Sequence, residues 1–427
     1  IMSSDWSSDV CSSDLKLART PAGHLPPSDA VRIDCAGRTV EIAAGRERAV
    51  AYGVYELLER AVGARWFWPG KLGEDIPERT NVSIPRGRKT YRPSFDWRSL
   101  SGADRSDFGT KIKSQRYPVA GGGHAYHRLL PPKLFDTQPE LFSEIYGKRR
   151  RKPTQICHAA PGMVDRAMAY IEEQLTEHPD AAAVSFCPND FGFFCECDAC
   201  RAMDADVFKY YDTYVHEPPI GYGGPLFHAH LSERIFAFTN AVADRVAQTH
   251  PELYLICFGY GPSRFPPEGM TIRDNVIVWL TATAVGMYNP ERAAAEEAVV
   301  RDWRKVARHV VIFEALANQC WPCVPREASG AVEACLKMYR RHGVRGYFTQ
   351  MWNDWATNLP SYYLAGRLAW DASRTAEDEL GELWRRAFGP AARHVETYFQ
   401  VWQDAWRRVT EPGGLPRWRS VISPKCL

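Results

Sequence analysis

The run Val184-Ser185-Phe186-Cys187-Pro188-Asn189-Asp190 leads an apolar, strand-like segment through a proline into an amide and a carboxylate. In parallel α/β barrels the chemistry is done just past the carboxyl ends of the strands. An amide beside a carboxylate there can orient a substrate group and supply a proton, which makes Asn189 and Asp190 the catalytic candidates. The same dipeptide after a proline equally suits an Asx turn or a helix cap. Glu314 directly follows Val310-Val311-Ile312-Phe313 and offers a second carboxylate, either to a substrate hydroxyl or to a cap or ion pair. Pairs of carboxylates whose surroundings separate their pKa values are how one site divides acid and base roles.

Gln350 and the run Met351-Trp352-Asn353-Asp354-Trp355 follow another strand and mix flat aromatic faces with polar groups. Trp352 gives a face to stack a ring on, and Gln350 and Asp354 give partners for hydroxyls; a structural loop with buried Trp is the alternative. His124 and His127 lie in the glycine-rich run Gly121-Gly122-Gly123-His124-Ala125-Tyr126-His127, placed either to cover a substrate or simply in solvent. Cys195, Cys197 and Cys200 bring three sulfurs close together. They can hold zinc if a fourth ligand arrives, from Cys320-Trp321-Pro322-Cys323 or a His; a disulfide with a spare thiol, or reduced surface cysteines, are the other readings. A brace for the loop is expected rather than a catalytic metal. Cys35, Cys157, Cys187, Cys257 and Cys335 sit in apolar runs and read as small buried hydrophobes.

The elements that must position these residues change character along the chain. Val31–Cys35 and Thr39–Ile42 alternate around Ala36-Gly37-Arg38, a hairpin signal. Arg46 to Ala61 has helical apolar spacing and stops at Gly63, and Asn81–Ile84 reads as a short strand. From about 91 to 372, strands at Ser94–Leu100, Ala182–Phe186, Leu253–Phe258, Val276–Leu280, Val310–Phe313 and Gly346–Phe348 alternate with helices. Those helices run Met163–Leu175, Ser232–Thr249, Glu291–Ala307 and Ala328–His342. Such alternation predicts a (β/α)8 TIM barrel, an α/β fold, over 91–372, preceded by a small α/β domain over 16–90 and followed by a helical region over 373–427. Residues 1–15 repeat Ser-Ser-Asp and resemble translated adapter sequence or a Ser-rich linker, so they stand outside the fold. The native N-terminus is expected to be missing, and the C-terminal region to be cut short.

Composition narrows the function. Lys+Arg 53 against Asp+Glu 51 gives a net charge of +2, no footprint for nucleic acid. An apolar run of about 18 residues, enough for a membrane span, does not occur. The first strand carries no G-x-G-x-x-G and the chain has no Walker loop, so no nucleotide cofactor is expected. Fourteen Trp within 12% aromatic content suits stacking on sugar rings, although large barrels also bury aromatics.

Ala51-Tyr52-Gly53-Val54-Tyr55-Glu56-Leu57-Leu58-Glu59, with Gly63-Ala64-Arg65-Trp66-Phe67, resembles the small domain before the barrel in family 20 hexosaminidases and family 67 α-glucuronidases. Pro139-Glu140-Leu141-Phe142, Pro188-Asn189-Asp190, Cys195-Glu196-Cys197-Asp198-Ala199-Cys200 and Leu364–Asp371 resemble the bacterial domain of unknown function 4838, part of which is glycoside hydrolase family 163. The resemblance implies a secreted or periplasmic hydrolase acting on an oligosaccharide or glycan next to N-acetylglucosamine, with the substrate's own 2-acetamido group as nucleophile. Families of that kind depart from the two-carboxylate scheme. It implies that Asn189 orients the acetamide, where family 20 has an acid at the end of the fourth strand, and that Asp190 is the acid. Arg98 resembles the family 20 arginine that holds sugar hydroxyls; it can equally pair with a barrel carboxylate. A carbohydrate-binding barrel without turnover, and a zinc-braced structural protein, are the competing expectations.

Overall fold

The computed structural model describes residues 29–410, apart from 37–38, 105, 116, 153–154, 191, 208, 211–228, 283, 317–324 and 352–353. Near its start, β1 (Val31–Ala36) pairs antiparallel with β2 (Thr39–Ala44) and with β3 (Gly87–Tyr91). The third strand therefore lies after 81–84, where alternation placed it; Asn81–Ile84 is irregular. Helix α1 (Glu47–Leu57) crosses this sheet closely because Gly53 has no side chain. A Cβ there would sit 2.4 Å from Val31 Cγ1 and 2.5 Å from Ile42 Cγ2.

The main sheet has seven strands: β4 (Trp97–Leu100), β5 (Val119–Ala120), β6 (Ala183–Ser185), β7 (Tyr254–Gly259), β8 (Val276–Ala282), β9 (His309–Ala315) and β10 (Gly346–Gln350). Their order is β4-β10-β9-β8-β7-β6-β5, and every pairing is parallel. It is a curled half-barrel, with β4 and β5 at its edges among the described residues, rather than the closed eight-stranded barrel expected. Strand β5 was not foreseen, since two residues carry no period. Helices α2 (Met163–Glu177), α3 (Ser232–Thr249), α4 (Pro290–Val306) and α5 (Ser329–Arg341) alternate with the strands as their 3.6-residue period predicts. Helices α6 (Trp355–Trp370), α7 (Ala376–Phe388) and α8 (Ala392–Thr410) complete the described chain.

Strand side chains alternate between two cores. Val310, Ile312, Val278 and Leu280 pack outward against the helices, with Trp303 and Leu336. Trp97, Ile256, Phe258, Trp279 and Val311 pack inward with Tyr117. The inner row Phe258, Trp279, Val311, Gly346, Trp97 is in register across five strands. Gly346 makes room in that row: a Cβ would lie 2.4 Å from Val311 Cγ2 and 3.1 Å from Trp97 Cβ.

A buried ionic network joins α1 and the turn after it to the helical layer. Lys113 Nζ lies 2.6 Å from Glu59 and 3.2 Å from Glu56, and Arg367 bridges Glu59 at 2.7 Å and Glu379 at 2.8 Å. Burial alone would raise the Glu59 carboxyl; Arg367 and Lys113 more than reverse this and hold it well below the usual range.

Candidate active site at the carboxyl end of the sheet

Register defines a second inward row, one pleat nearer the carboxyl ends. Thr281 is level with Phe313, Phe313 with Phe348, and Phe348 with Ser99. Gly259 is level with Leu280, which brings Tyr260 into the same row as Thr281. Phe313 and Phe348 are half-buried, their centroids 4.7 Å apart, and Trp279 stacks on Phe348 at 5.3 Å. They form an aromatic floor. Gln350 stands one pleat above Phe348.

Asp190 and His124 join this row at Tyr260. The Tyr260 hydroxyl donates to Asp190 Oδ1 at 2.9 Å. His124 packs edge-on to Phe258 and against Tyr260, and its Nδ1 lies 2.6 Å from the Pro188 carbonyl oxygen. The dipeptide follows β6, the third sheet strand in chain order, and not the fourth as family 20 would have it.

Asn189 is buried and tightly held. Its Oδ1 accepts the His127 backbone N–H at 3.1 Å and lies 3.1 Å from His127 Nδ1. Its backbone N–H donates to Gln155 Oε1 at 3.2 Å, and Gln155 Nε2 donates back to the Asn189 carbonyl at 2.8 Å. Its side chain is thus tied to the His127 segment and its backbone to Gln155, contacts that fix the geometry of the loop. On the other side of the floor, the Ser99 hydroxyl donates to Asp104 Oδ2 at 2.6 Å.

Two expected site residues, Arg98 and Glu314, point away from this row, and the carboxylate of a third, Asp354, is engaged by neighbours. Arg98 points outward from β4, fully buried, and donates to Asp29 Oδ2 at 2.6 Å and to the carbonyls of Phe95, Asp96 and Lys113. Its neighbours Trp97 and Ser99 take the inward positions, and Arg98 binds the sheet to Asp29, in the segment before β1. Glu314 shares the outward parity of Val310 and Ile312. Its Oε1 accepts the N–H groups of Ala284 at 2.9 Å and Ala315 at 3.2 Å. Burial pushes its carboxyl up to about 7, with those N–H groups and Arg326 pulling the other way. The Asp354 carboxylate is taken within its own helix, by Asn358 Nδ2 at 2.7 Å and the Tyr362 hydroxyl at 2.7 Å. Trp352 lies outside the described residues, as do Cys320 and Cys323.

The cysteines converge more fully than their spacing implied. Sulfurs of Cys195, Cys197, Cys200 and also Cys157 all lie within 4.8 Å of one another. Three of the separations are 3.4, 3.6 and 3.7 Å, longer than the S–S bond of about 2.05 Å, so the four are placed as free thiols. The surface reading fails, since Cys195 and Cys200 are buried. Cys157, read as an ordinary buried hydrophobe, is a member of this cluster.

Sequence reasoning missed Tyr260, Asp104, Phe313 and Phe348 as site residues. Tyr260 had a signal: it continues the inward alternation of Ile256 and Phe258 past the strand end.

The model for the Domain of unknown function (DUF4838) matches residues 68–400, and the chain belongs to that family. No curated protein matches the sequence. Among solved structures, the fold is similar to a family GH115 4-O-methyl-α-glucuronidase with specificity for decorated arabinogalactans. The TM-score is 0.51 at 11% identity, over 88% of this chain and 53% of that one, so this chain spans about half its length. Lower matches include a family 89 glycoside hydrolase from Clostridium perfringens (TM-score 0.45, 11% identity, 88% of this chain and 48% of that one). Another is a β-N-acetylhexosaminidase from Bacteroides fragilis (0.44, 12%, 88% and 82%).

Proposed function

We propose that this member of the family is a glycoside hydrolase of the family 163 kind, cleaving β-N-acetylglucosaminide linkages in glycans with retention. The observation that carries the reading is the row Ser99, Phe348, Phe313, Thr281, Tyr260, with Asp190 bonded to its Tyr260 end. An apolar floor of two aromatic rings, edged by hydroxyls and a carboxylate, suits a pyranoside, which has an apolar face and a polar rim. In this reading the substrate's acetamido oxygen attacks the anomeric carbon as Asp190 gives its proton to the departing oxygen. Asp190 then takes a proton from the water that opens the cyclic intermediate. Tyr260 orients Asp190, and His124, Gln350 and Thr281 serve sugar hydroxyls and the acetamido group. Asn189 acts on the loop instead of on the acetamide, because its side-chain oxygen is already bonded to His127.

That last contact also favours a second reading. The Asn189 side chain serves the loop, as it would in a carbohydrate-binding barrel without turnover. Incubating the protein with N-acetylglucosamine-containing glycans separates the two. Released sugar supports the hydrolase; binding with no release on any glycan in the set supports the lectin-like reading.

A further inference from the structure

We propose that Cys157, Cys195, Cys197 and Cys200 form a closed four-thiolate site for a soft divalent metal, zinc in the first instance, which clamps the loop carrying Asn189 and Asp190. Zinc bonded to sulfur at about 2.3 Å in a tetrahedron sets the sulfurs about 3.8 Å apart. The separations here are 3.4 Å for Cys195–Cys197, 3.6 Å for Cys157–Cys197 and 3.7 Å for Cys157–Cys200. Cys197 and Cys200 have the C-x-x-C spacing of structural zinc sites, with Cys195 before them and Cys157 arriving from the segment before α2. A tetrahedral all-sulfur set selects zinc or iron over the hard cations.

The surroundings fit a negatively charged centre. Four thiols binding one divalent ion release four protons to solvent and leave a net charge of −2 on the site. The Glu144 backbone N–H points at Cys195 Sγ at 3.3 Å, and Arg149 Nη1 lies 3.6 Å from the same sulfur. Arg234, buried and paired with Asp204, donates to the Cys195 carbonyl at 2.6 Å. Donors of this kind around metal-bound sulfur hold the ligands in place.

The position gives the site its role. Gln155, two residues before Cys157, grips the Asn189 backbone through both ends of its side-chain amide. Cys195 to Cys200 closes the far end of the same loop. A metal tying Cys157 to Cys195, Cys197 and Cys200 therefore fixes both flanks of the segment that presents Asp190. With four protein ligands no position is open for substrate, so the ion braces the loop and does no chemistry. The inference stands whether or not the protein cleaves sugars.

The test is metal content of the full chain purified under reducing conditions, with cobalt exchange as the second measurement. One equivalent of zinc or iron, lost in Cys157→Ser and in Cys200→Ser, supports the site. Should those variants fail to fold, the wild-type cobalt form decides. Intense sulfur-to-cobalt charge-transfer bands of a tetrahedral four-thiolate ion support the site, and their absence overturns it. Metal-free protein that takes up neither zinc nor cobalt, or mass evidence of a disulfide within the four, overturns it as well.

Discussion

Glu314 separates a structural carboxylate from a catalytic one, because its pKa and its direction in β9 make opposite demands on activity and stability. In the folded protein it is buried among outward-facing core residues, and its carboxyl is raised from 4.5 to about 7 by that burial. Below pH 4.5 the group is protonated in folded and unfolded chains alike, and its stabilising contribution is fully present. Between pH 4.5 and 7 the unfolded chain releases the proton while the folded one keeps it, so stability falls as pH rises. Above 7 the loss is complete. At about 1.36 kcal/mol per pH unit, it amounts to about 3 kcal/mol. Glu314→Gln keeps the oxygen that accepts from Ala284 and Ala315 but cannot ionise. Urea unfolding from pH 4 to 8 should show the two proteins alike at the acid end, with the variant more stable by up to about 3 kcal/mol above pH 7. Glu327, also raised by burial to about 7, contributes equally to both and cancels in the difference. Turnover of the variant should be intact. A difference in stability that does not vary with pH, or turnover abolished at every pH, would refute the outward placement.

Two other substitutions test the assignments around the site. Among the described residues, Arg98→Met leaves buried Asp29 with Arg46, 3.5 Å away, as its remaining cation, and should cost about 3 kcal/mol in urea unfolding while KM for any substrate stays unchanged. Tyr260→Phe removes the hydroxyl that holds Asp190 and should lower kcat by up to about 100-fold, with stability lowered by only about 1 kcal/mol.

The helices and most strands of the main sheet were legible because their periods differ. Helices α2 to α5 match the 3.6-residue pattern within a residue or two of the expected ends. The direction of individual side chains was not legible. Strands buried on both faces read as continuous apolar runs, so Val310 to Phe313 gives no hint of which face Glu314 takes. Arg98 lies in a mixed polar and apolar strand that is buried at every position, so no solvent face was there to receive it. The location of Asn189-Asp190 past a strand end was readable from Pro188 and the preceding apolar run. Its partners were not, because Tyr260, Gln155 and His127 reach it from other segments, and sequence spacing records no such approach. Cys157 is a similar case: inside Gln155-Ile156-Cys157 it looks like one more small buried residue, and only the fold carries it to the other three sulfurs.

The decisive measurement is kcat on an N-acetylglucosamine-containing glycan for wild type and Asp190→Asn side by side, with both proteins shown to be folded. An essential general acid predicts a fall of about 100- to 10,000-fold in the variant. Equal turnover in the two proteins would contradict the assignment of Asp190 and the glycosidase chemistry built on it.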